Sequence, residues 1–412
     1  SELAERLSTF LVDPPRTLSA DIRAFLWEYV GDLNYQVLRR NRDAQVAFEA
    51  AKAAGKATPT IELKAARAMS QQPGKGREAV AAYGKVLSGP GVGLTEWLET
   101  IADLEALFEG VEDAARVRII KQIDDVLRGR PQSDAENLRI KRDPARQVEG
   151  LTALECLSAG MASGPSMKAA QLVSKILNKE LADRRPRRRA LGGKKLKGNP
   201  ELSALIDLAA STLQADAPKV FVGQGGTQTD WLADNMFFVP SQTLEEADAM
   251  GLRFWAGHIV GATAFGLGAL ALAEPGEIES VLTEVCRLEK GESPSDDPFL
   301  KEVASRGFAE VREELAALIE QNEGIIESVA EDAWIALPRR VADRFGLLMT
   351  GDVRAAVGVL SSEGPGELSL SVTRPEDLVT QPRPKALLEF ALGHAYQELR
   401  YHCGLAARPR PV

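Results

Sequence analysis

The chain has 412 residues, of which 44% are apolar and 26% are charged, and its formal net charge is −9. This balance is typical of a globular protein of roughly two or three domains, and the negative charge argues against a basic nucleic-acid binder. The three cysteines and three histidines are too few and too dispersed for a disulfide framework or a cysteine-based zinc site. Metal and acid–base chemistry therefore have few candidate residues.

The N-terminal residues lack the basic segment and apolar core of a secretory signal peptide, so we expect a cytoplasmic protein. Residues 254–273 carry no Asp, Glu, Lys or Arg over 20 residues, a length that could just cross a bilayer. The stretch is rich in Gly and Ala, which add little transfer energy, and it contains His258. It therefore predicts a buried helix, and we do not expect membrane insertion.

Residues 1–130 predict a first domain of short helices with an internal repeat. A small–aromatic–small pattern occurs twice, 35 residues apart, and a weaker third copy follows. The residues of the pattern are Ala44, Phe48 and Ala51 in the first copy and Ala79, Tyr83 and Val86 in the second, with Tyr35 nine residues before Ala44. The repetition predicts helix pairs that stack on one another.

The repeat resembles the second helix of a tetratricopeptide hairpin, a family with a period of 34 residues. The resemblance implies that the small residues let the paired helix approach and that the aromatic residue fills the gap between neighbouring hairpins. The period here is 35 and then 36 residues, and the Gly and Pro positions are imperfect. A generic helical bundle is the alternative interpretation.

Residues 131–199 predict a helical connector that ends in a basic loop. No acidic residue interrupts the cations of this loop, which are Arg184, Arg185, Arg187, Arg188, Arg189, Lys194, Lys195 and Lys197. Such a cluster can bind phosphates of nucleic acid or acidic lipid. The cluster has no interleaved aromatic residue for base stacking, and a solvated loop is the simpler interpretation.

Residues 200–412 predict an α+β domain, so the whole chain is expected to be mainly α with a small β element. Asn199-Pro-Glu-Leu predicts the start of a helix that runs to about Leu213. Two β-like segments, 219–222 and 236–240, predict a small hairpin or sheet. Further helices are expected at about 244–273, 275–289, 298–330, 334–349, 352–361 and 384–403.

Two short segments of this region resemble a peptidase. Residues 252–262 read LRFWAGHIVGA and resemble the active-site helix of HtpX-like and CaaX-processing zincin metallopeptidases. That helix carries two His four residues apart that bind Zn²⁺, and the Glu after the first His acts as the general base. Residues 341–344 read VADR and resemble the later helix that supplies the third ligand, a Glu. The resemblance covers roughly residues 200–403.

The departures from the zincin pattern decide what the resemblance implies. His258 stands at the first ligand position, whereas Ile259 replaces the general base, Ala262 the second His and Val341 the ligand Glu. One imidazole cannot supply the three protein ligands that catalytic zinc normally has. The resemblance therefore implies a degenerate domain with no metal and no cofactor, in which His258 is a core residue.

The C-terminal helix carries His394, His402 and Cys403. Eight residues separate the two histidines, which is too far for joint coordination of one ion. Adjacent residues of a helix diverge, so His402 and Cys403 do not form a nucleophile–base pair by themselves. We therefore predict no catalytic residues here.

Helical repeats joined to a lapsed peptidase domain also resemble large repeat proteins of bacteria, the myxobacteria especially. We expect a non-catalytic adaptor or scaffold that binds another protein, alone or within a larger assembly, and no small-molecule substrate. Two alternatives stay open. The first is a binder of nucleic acid or acidic lipid through residues 184–197, and the second is an atypical metallohydrolase that uses unrecognised ligands.

Overall fold

A computed structural model describes residues 2–15, 17–130, 141, 143–161, 164–180, 191–196, 199–225, 230–233, 235–274, 276–305, 309–322, 325, 333–362 and 374–410. Contacts divide the chain into two compact units. The first unit comprises Ser1–Glu136, Thr373–Gly393 and Arg408–Val412, and the second comprises Asn137–Val372 and His394–Ala407. The predicted boundaries at residues 130 and 199 stay a prediction.

The described part of the chain is mainly helical. In chain order the helices are α1 (Glu2–Val12), α2 (Ala20–Asp32), α3 (Asn41–Ala53), α4 (Pro59–Ser70), α5 (Gly76–Ser88), α6 (Leu94–Gly110), α7 (Ala114–Leu127), α8 (Gly150–Ser158), α9 (Gly164–Glu180), α10 (Pro200–Thr212), α11 (Ser241–Glu246), α12 (Ala249–Ala264), α13 (Glu277–Glu289), α14 (Pro298–Ser305), α15 (Ala309–Gln321), α16 (Ala333–Thr350), α17 (Val353–Ser362), α18 (Pro375–Thr380), α19 (Pro382–Leu392) and α20 (His394–His402). A π-helical turn, Leu33–Val37, extends α2, and a 3₁₀ turn, Gly268–Leu272, follows α12.

The first unit is a stack of antiparallel helices in which α2 to α7 pack in sequence order. Local sequence sets the helix starts: Thr58 accepts a hydrogen bond from the backbone N–H of Ile61, and Pro59 occupies the first turn of α4. In the same way Asp113 caps α7. The predicted region of helix pairs is confirmed, and the pairs are α2 with α3, α4 with α5, and α6 with α7.

The second unit contains a small mixed sheet, as predicted. Its strands are β1 (Lys194–Lys195), β2 (Lys219–Gly223), β3 (Asp230–Ala233) and β4 (Met236–Pro240), in the order β1-β2-β4-β3. The hairpin alternative for residues 219–222 and 236–240 is wrong, because β2 and β4 run parallel. The intervening strand β3 pairs antiparallel with β4. The chain therefore reverses between β3 and β4, and β4 runs in the same direction as β2.

Helices α12 and α16 form the centre of the second unit. The single helix predicted over 244–273 is divided into α11, α12 and the 3₁₀ turn. The first break lies at Ala247, which has an extended backbone, and Asp248 then caps the start of α12. The second break lies at Gly266, which adopts a left-handed backbone with φ +66°. The helix predicted over 384–403 is likewise divided at Gly393, between α19 and α20. Asn199 does cap α10 as predicted, by accepting a hydrogen bond from the backbone N–H of Leu202 at 2.9 Å.

Residues 254–273, the uncharged stretch, fall in α12 and the turn that follows it. Across the described residues, no helix is both long enough and apolar enough to cross a bilayer.

Candidate functional site

The small–aromatic–small residues of the repeat lie where α3 and α5 meet their neighbours. Ala44, Phe48, Ala79 and Tyr83 are buried, and half-buried Tyr35 packs against the cluster that contains Ala44 and Phe48. The role of the small residues extends to α2, where a Cβ atom on Gly31 would overlap the Phe48 ring. The pattern therefore marks the residues that let neighbouring helices approach.

Ion pairs connect α4 to the first helix of the preceding pair and to the first helix of the following pair. Both sets join one cation of α4 to two acids that lie four residues apart, at sequence separations of 32 and 36 residues. The pairs are Lys64 with Glu28 at 2.9 Å and Asp32 at 2.8 Å, and Arg67 with Asp103 at 2.6 Å and Glu99 at 2.9 Å. The two sets of ion pairs therefore have the same sequence separations, so the contact of α2 with α4 and the contact of α4 with α6 are spaced alike along the chain. This repetition is not visible from the residue types alone.

A pocket of about 310 Å³ opens beside Arg67. Its lining comes from the π turn after α2 and from α4, α5, α6 and Val111, and consists of Tyr35, Arg67, Ser70, Gln71, Tyr83, Asp103, Ala106, Leu107, Gly110 and Val111. A wider depression of about 770 Å³ lies elsewhere on the unit, along α3 and the loop before α5. The smaller pocket is the better binding candidate because polar groups converge on it next to apolar walls.

Charged and phenolic groups are close together in this Arg67 pocket. Burial raises the pKa of Asp103, although the Arg67 guanidinium opposes the shift by donating a hydrogen bond from Nε. Burial, with the Asp103 charge as a smaller cause, also raises the pKa of Tyr83, whose hydroxyl donates to Ser70 Oγ at 3.3 Å. The pocket thus has a phenol and a hydroxyl beside a paired cation and anion. None of its lining side chains is an activated nucleophile.

In the second unit, the two segments of the peptidase resemblance lie on the two helices that pack most closely. Glycines permit the approach of α12 to α16: a Cβ on Gly257 would lie 2.7 Å from the Phe345 carbonyl oxygen, and one on Gly261 would lie 2.9 Å from Phe345 Cβ. Gly346 faces Phe254 in the same way from α16. The two segments of the resemblance are therefore in contact with each other.

His258 lies inside this contact and is surrounded by aromatic rings. Its ring centroid is 5.3 Å from that of Trp255, 5.9 Å from Phe237 and 6.0 Å from Phe254. Its Nδ1 atom lies 3.0 Å from Asp343 Oδ1, with both side chains 4% exposed, but the N–H and the oxygen are not aligned as a hydrogen bond. The imidazole is therefore held by packing and by a nearby carboxylate.

The positions that would carry zincin chemistry are apolar and buried. Ile259 and Val341 are fully buried, and Ala262 is nearly so. Within the described residues, no group of three or more His, Cys, Asp or Glu side chains has an arrangement that could hold a metal ion. In this part of the chain His258 has a single carboxylate neighbour instead of a ligand set.

The Asp-Arg pair that follows Val341 has two separate roles. Asp343 lies beside His258, whereas the Arg344 guanidinium donates to the carbonyl oxygens of Leu157 at 2.7 Å and Ala159 at 2.9 Å. These carbonyls are at the C-terminal end of α8, where the last turn of a helix lacks internal donors. Arg344 thus caps α8 from α16.

The predicted anion-binding cluster is described only in part. Lys194 and Lys195 form β1, and both are exposed. Arg184, Arg185, Arg187, Arg188, Arg189 and Lys197 lie outside the described residues. The use of this cluster stays a prediction.

The C-terminal helix contains one residue that the sequence analysis overlooked. Glu398 lies between the two histidines, 3.2 Å from His394 Nε2 and 3.8 Å from His402 Nε2, and the four-residue spacing was the available indication. Burial raises the pKa of Cys403 to about 12 and that of Cys156 to about 11. These thiols therefore stay protonated and are poor nucleophiles.

Comparisons with known proteins found no match for this chain among protein-family models, curated proteins or solved structures.

Proposed function

We propose that this protein is a non-catalytic adaptor that binds a segment of another protein on its helix-pair stack. The Arg67 pocket carries the proposal, because it joins residues from three helices and a π turn and its lining combines polar and apolar side chains. A peptide segment has both main-chain polar groups and side chains, so it can use both kinds of surface.

The tetratricopeptide resemblance belongs to this proposal. The period of 35 residues in the packing residues and the ion-pair separations of 32 and 36 residues both support a repeating helix hairpin. In a stack of such hairpins, each hairpin contacts only the hairpins next to it. The first helices of the pairs are then free to form an extended binding surface.

We also propose that the second unit is a pseudo-metallopeptidase. The support is the close packing of α12 on α16 around His258, together with apolar Ile259, Ala262 and Val341 at the remaining positions. Apolar side chains at these sites avoid the cost of burying polar groups that have no metal to bind. The unit would then act as a scaffold within the adaptor.

The test of binding uses the full chain and variants that leave the core unchanged. Ala106 is exposed on α6 and lines the Arg67 pocket, so Ala106→Arg should fill the pocket. Ala81 is exposed on α5 and does not line it, so Ala81→Arg is the matched control. We expect the wild type and the Ala81→Arg control to capture the same partner protein from the source cells. Ala106→Arg should fail to capture it.

Two results would contradict the proposal. Capture that Ala106→Arg leaves unchanged would remove the pocket from recognition. Zinc-dependent cleavage of a generic protein substrate that His258→Ala abolishes would show an enzyme, and would favour the metallohydrolase alternative.

Binding to nucleic acid or acidic lipid is the second candidate, because Lys194 and Lys195 are both exposed in β1. The electrostatic mechanism predicts binding to heparin or to phosphatidylserine vesicles that weakens steeply with salt. Neutralising both lysines, with Lys85→Gln as a control on exposed α5 surface, should weaken this binding if the cluster is used.

A further inference from the structure

Helix α6, which forms one wall of the Arg67 pocket, carries an excess of negative charge. Between residues 86 and 115 the sequence has seven acidic residues and no Lys or Arg, and five of the seven lie on α6. In the described part of the chain, ion pairs join four of these acids to two cations, which are Glu99 and Asp103 with Arg67, and Glu105 and Glu109 with Lys121. Carboxylates therefore outnumber the cations that pair with this helix.

The Arg67 pocket lies at the C-terminal end of α6. Four of its lining residues, Ala106, Leu107, Gly110 and Val111, belong to the last turns of this helix or follow it directly. The last carbonyl groups of a helix lack internal donors, and the helix dipole places a partial negative charge there, which favours a cation. The last turn of α6 contains no basic residue of its own that would neutralise this end.

An arginine from another part of the first unit already lies at this end of α6. Arg410 donates from Nη1 to the Val111 carbonyl oxygen at 3.4 Å and to Glu112 Oε2 at 3.0 Å. Its backbone N–H donates to Asp113 Oδ2 at 3.4 Å. Val111 also lines the Arg67 pocket, whereas Arg410 does not. Binding of a guanidinium at this helix end is therefore an observed contact, made beside the pocket.

Arg67 does not make the pocket a receptor for anions. Its guanidinium donates from Nε to Asp103 and from Nη2 to Glu99, so one positive charge lies against two negative charges. An incoming carboxylate would meet a cation that is already paired, with a second acid beside it. Burial also raises the pKa of Asp103 although Arg67 opposes the shift, so a second cation would stabilise the charged form of this carboxylate.

The apolar part of the lining matches the stem of a cationic side chain. Tyr35, Tyr83, Leu107 and Val111 all line the pocket. Lys and Arg bury their apolar stems against such surfaces while the charged head meets polar groups, and the face of a tyrosine ring attracts a cation. The volume of about 310 Å³ is at the lower end of ligand pockets, which run from roughly 300 to 1,000 Å³, so it suits one side chain better than a whole helix.

We propose that the Arg67 pocket binds an arginine or lysine side chain of the partner protein. The charged head lies near Asp103 and the C-terminal end of α6, and the stem lies against Leu107 and the tyrosine rings. This inference rests on the proposed adaptor function and adds to it the chemistry of the residue that the adaptor recognises.

The test begins with a phage library of random dodecapeptides selected on the full chain. Each selected clone is then measured on Ala106→Arg, which fills the pocket, and on Ala81→Arg, which adds the same charge outside it. We expect clones that bind the wild type and Ala81→Arg but not Ala106→Arg, and we expect these pocket-dependent clones to share an Arg or Lys.

Fluorescence anisotropy then measures the role of the charge. The probes are a synthetic peptide from a pocket-dependent clone and a copy in which methionine replaces the shared cation. Methionine should raise the Kd on the wild type roughly tenfold or more. Asp103→Asn should raise the Kd of the cationic peptide by a similar factor and leave that of the methionine peptide unchanged. Glu78→Gln, at an exposed carboxylate of α5 outside the pocket, is the matched control and should change neither Kd.

Circular dichroism checks that each variant is folded, and the comparison of the two peptides on the wild type does not depend on any variant. Pocket-dependent clones that share an acidic or apolar residue instead of a cation would overturn this inference and leave the adaptor function standing. Equal affinity of the cationic and methionine peptides for the wild type would do the same. A selection in which Ala106→Arg weakens no clone would contradict both the inference and the use of the pocket by an adaptor.

Discussion

Replacement of Gly257 by Ala should destabilise the second unit although it adds a single methyl group. The new Cβ would lie 2.7 Å from the Phe345 carbonyl oxygen and 2.9 Å from the Gly346 Cα. Both neighbours are backbone atoms of α16, which cannot rotate away as a side chain can. The substitution must therefore separate α12 from α16 at their closest contact.

The magnitude follows from two opposing effects. Overpacking a core typically costs about 1–3 kcal/mol in the free energy of unfolding. Ala in place of Gly within a helix recovers about 0.5–1 kcal/mol of that loss. Gly358→Ala in α17 is the matched control, because a Cβ there would meet nothing within 4 Å. We therefore expect Gly358→Ala to stabilise slightly, and the two variants to differ by about 1–3 kcal/mol.

Urea denaturation followed by circular dichroism and by tryptophan fluorescence would measure this difference. Trp255 and Trp334, two of the five tryptophans, are buried in α12 and α16, so part of the fluorescence change reports on this contact. Coincidence of the two transitions would establish whether a single free energy applies. Equal stability of Gly257→Ala and Gly358→Ala would refute the close approach of the two helices.

Three further predictions concern packing, charge and thiol reactivity. Phe48→Ala should lower the free energy of unfolding in a urea titration by about 3–5 kcal/mol, because the ring is fully buried. A loss below about 1 kcal/mol would contradict this packing. Arg67→Met should cost about 1–3 kcal/mol by leaving a half-buried carboxylate without its partner, whereas Arg77→Met on exposed surface should cost almost nothing in the same assay. Because folding raises the thiol pKa values of Cys156 to about 11 and Cys403 to about 12, the unfolded chain releases protons first, and stability should fall as pH rises above about 8.5. Mass spectrometry should then find both thiols slow to react with iodoacetamide at pH 8 unless urea is present. Rapid native labelling of Cys403 would contradict its burial.

The sequence patterns pointed to packing residues more readily than to residues of a functional site. The tetratricopeptide resemblance implies that Phe48 and Tyr83 pack between neighbouring hairpins, and both side chains are buried. A helix repeats its faces every three to four residues, so a recurring small–aromatic–small pattern lies on one face of its helix. The motifs around His258 and Asp343 were likewise recognisable, although distant in sequence.

The groups that surround those motifs could not be predicted in the same way. Asp103 and Arg67 are two charged residues among many, and their contact across 36 residues depends on how α4 meets α6. The contact of Asp343 with His258 required the packing of α12 on α16. The exposure of Phe25 was hidden for a similar reason, since an apolar residue in an amphipathic helix is normally expected to face the core.

By itself, the sequence determined the mainly helical class, the helix pairs and the small sheet, because these follow from local periodicity, capping residues and turns. It also determined that Ile259, Ala262 and Val341 are apolar at the positions that the peptidase resemblance compares, since that is a matter of residue identity at a given spacing. Tertiary structure alone decided the parallel pairing of β2 with β4, the pocket beside Arg67 and the exposure of apolar side chains on α1 and α2. Each of these depends on which faces of distant segments meet, and that is set by the packing of the whole unit.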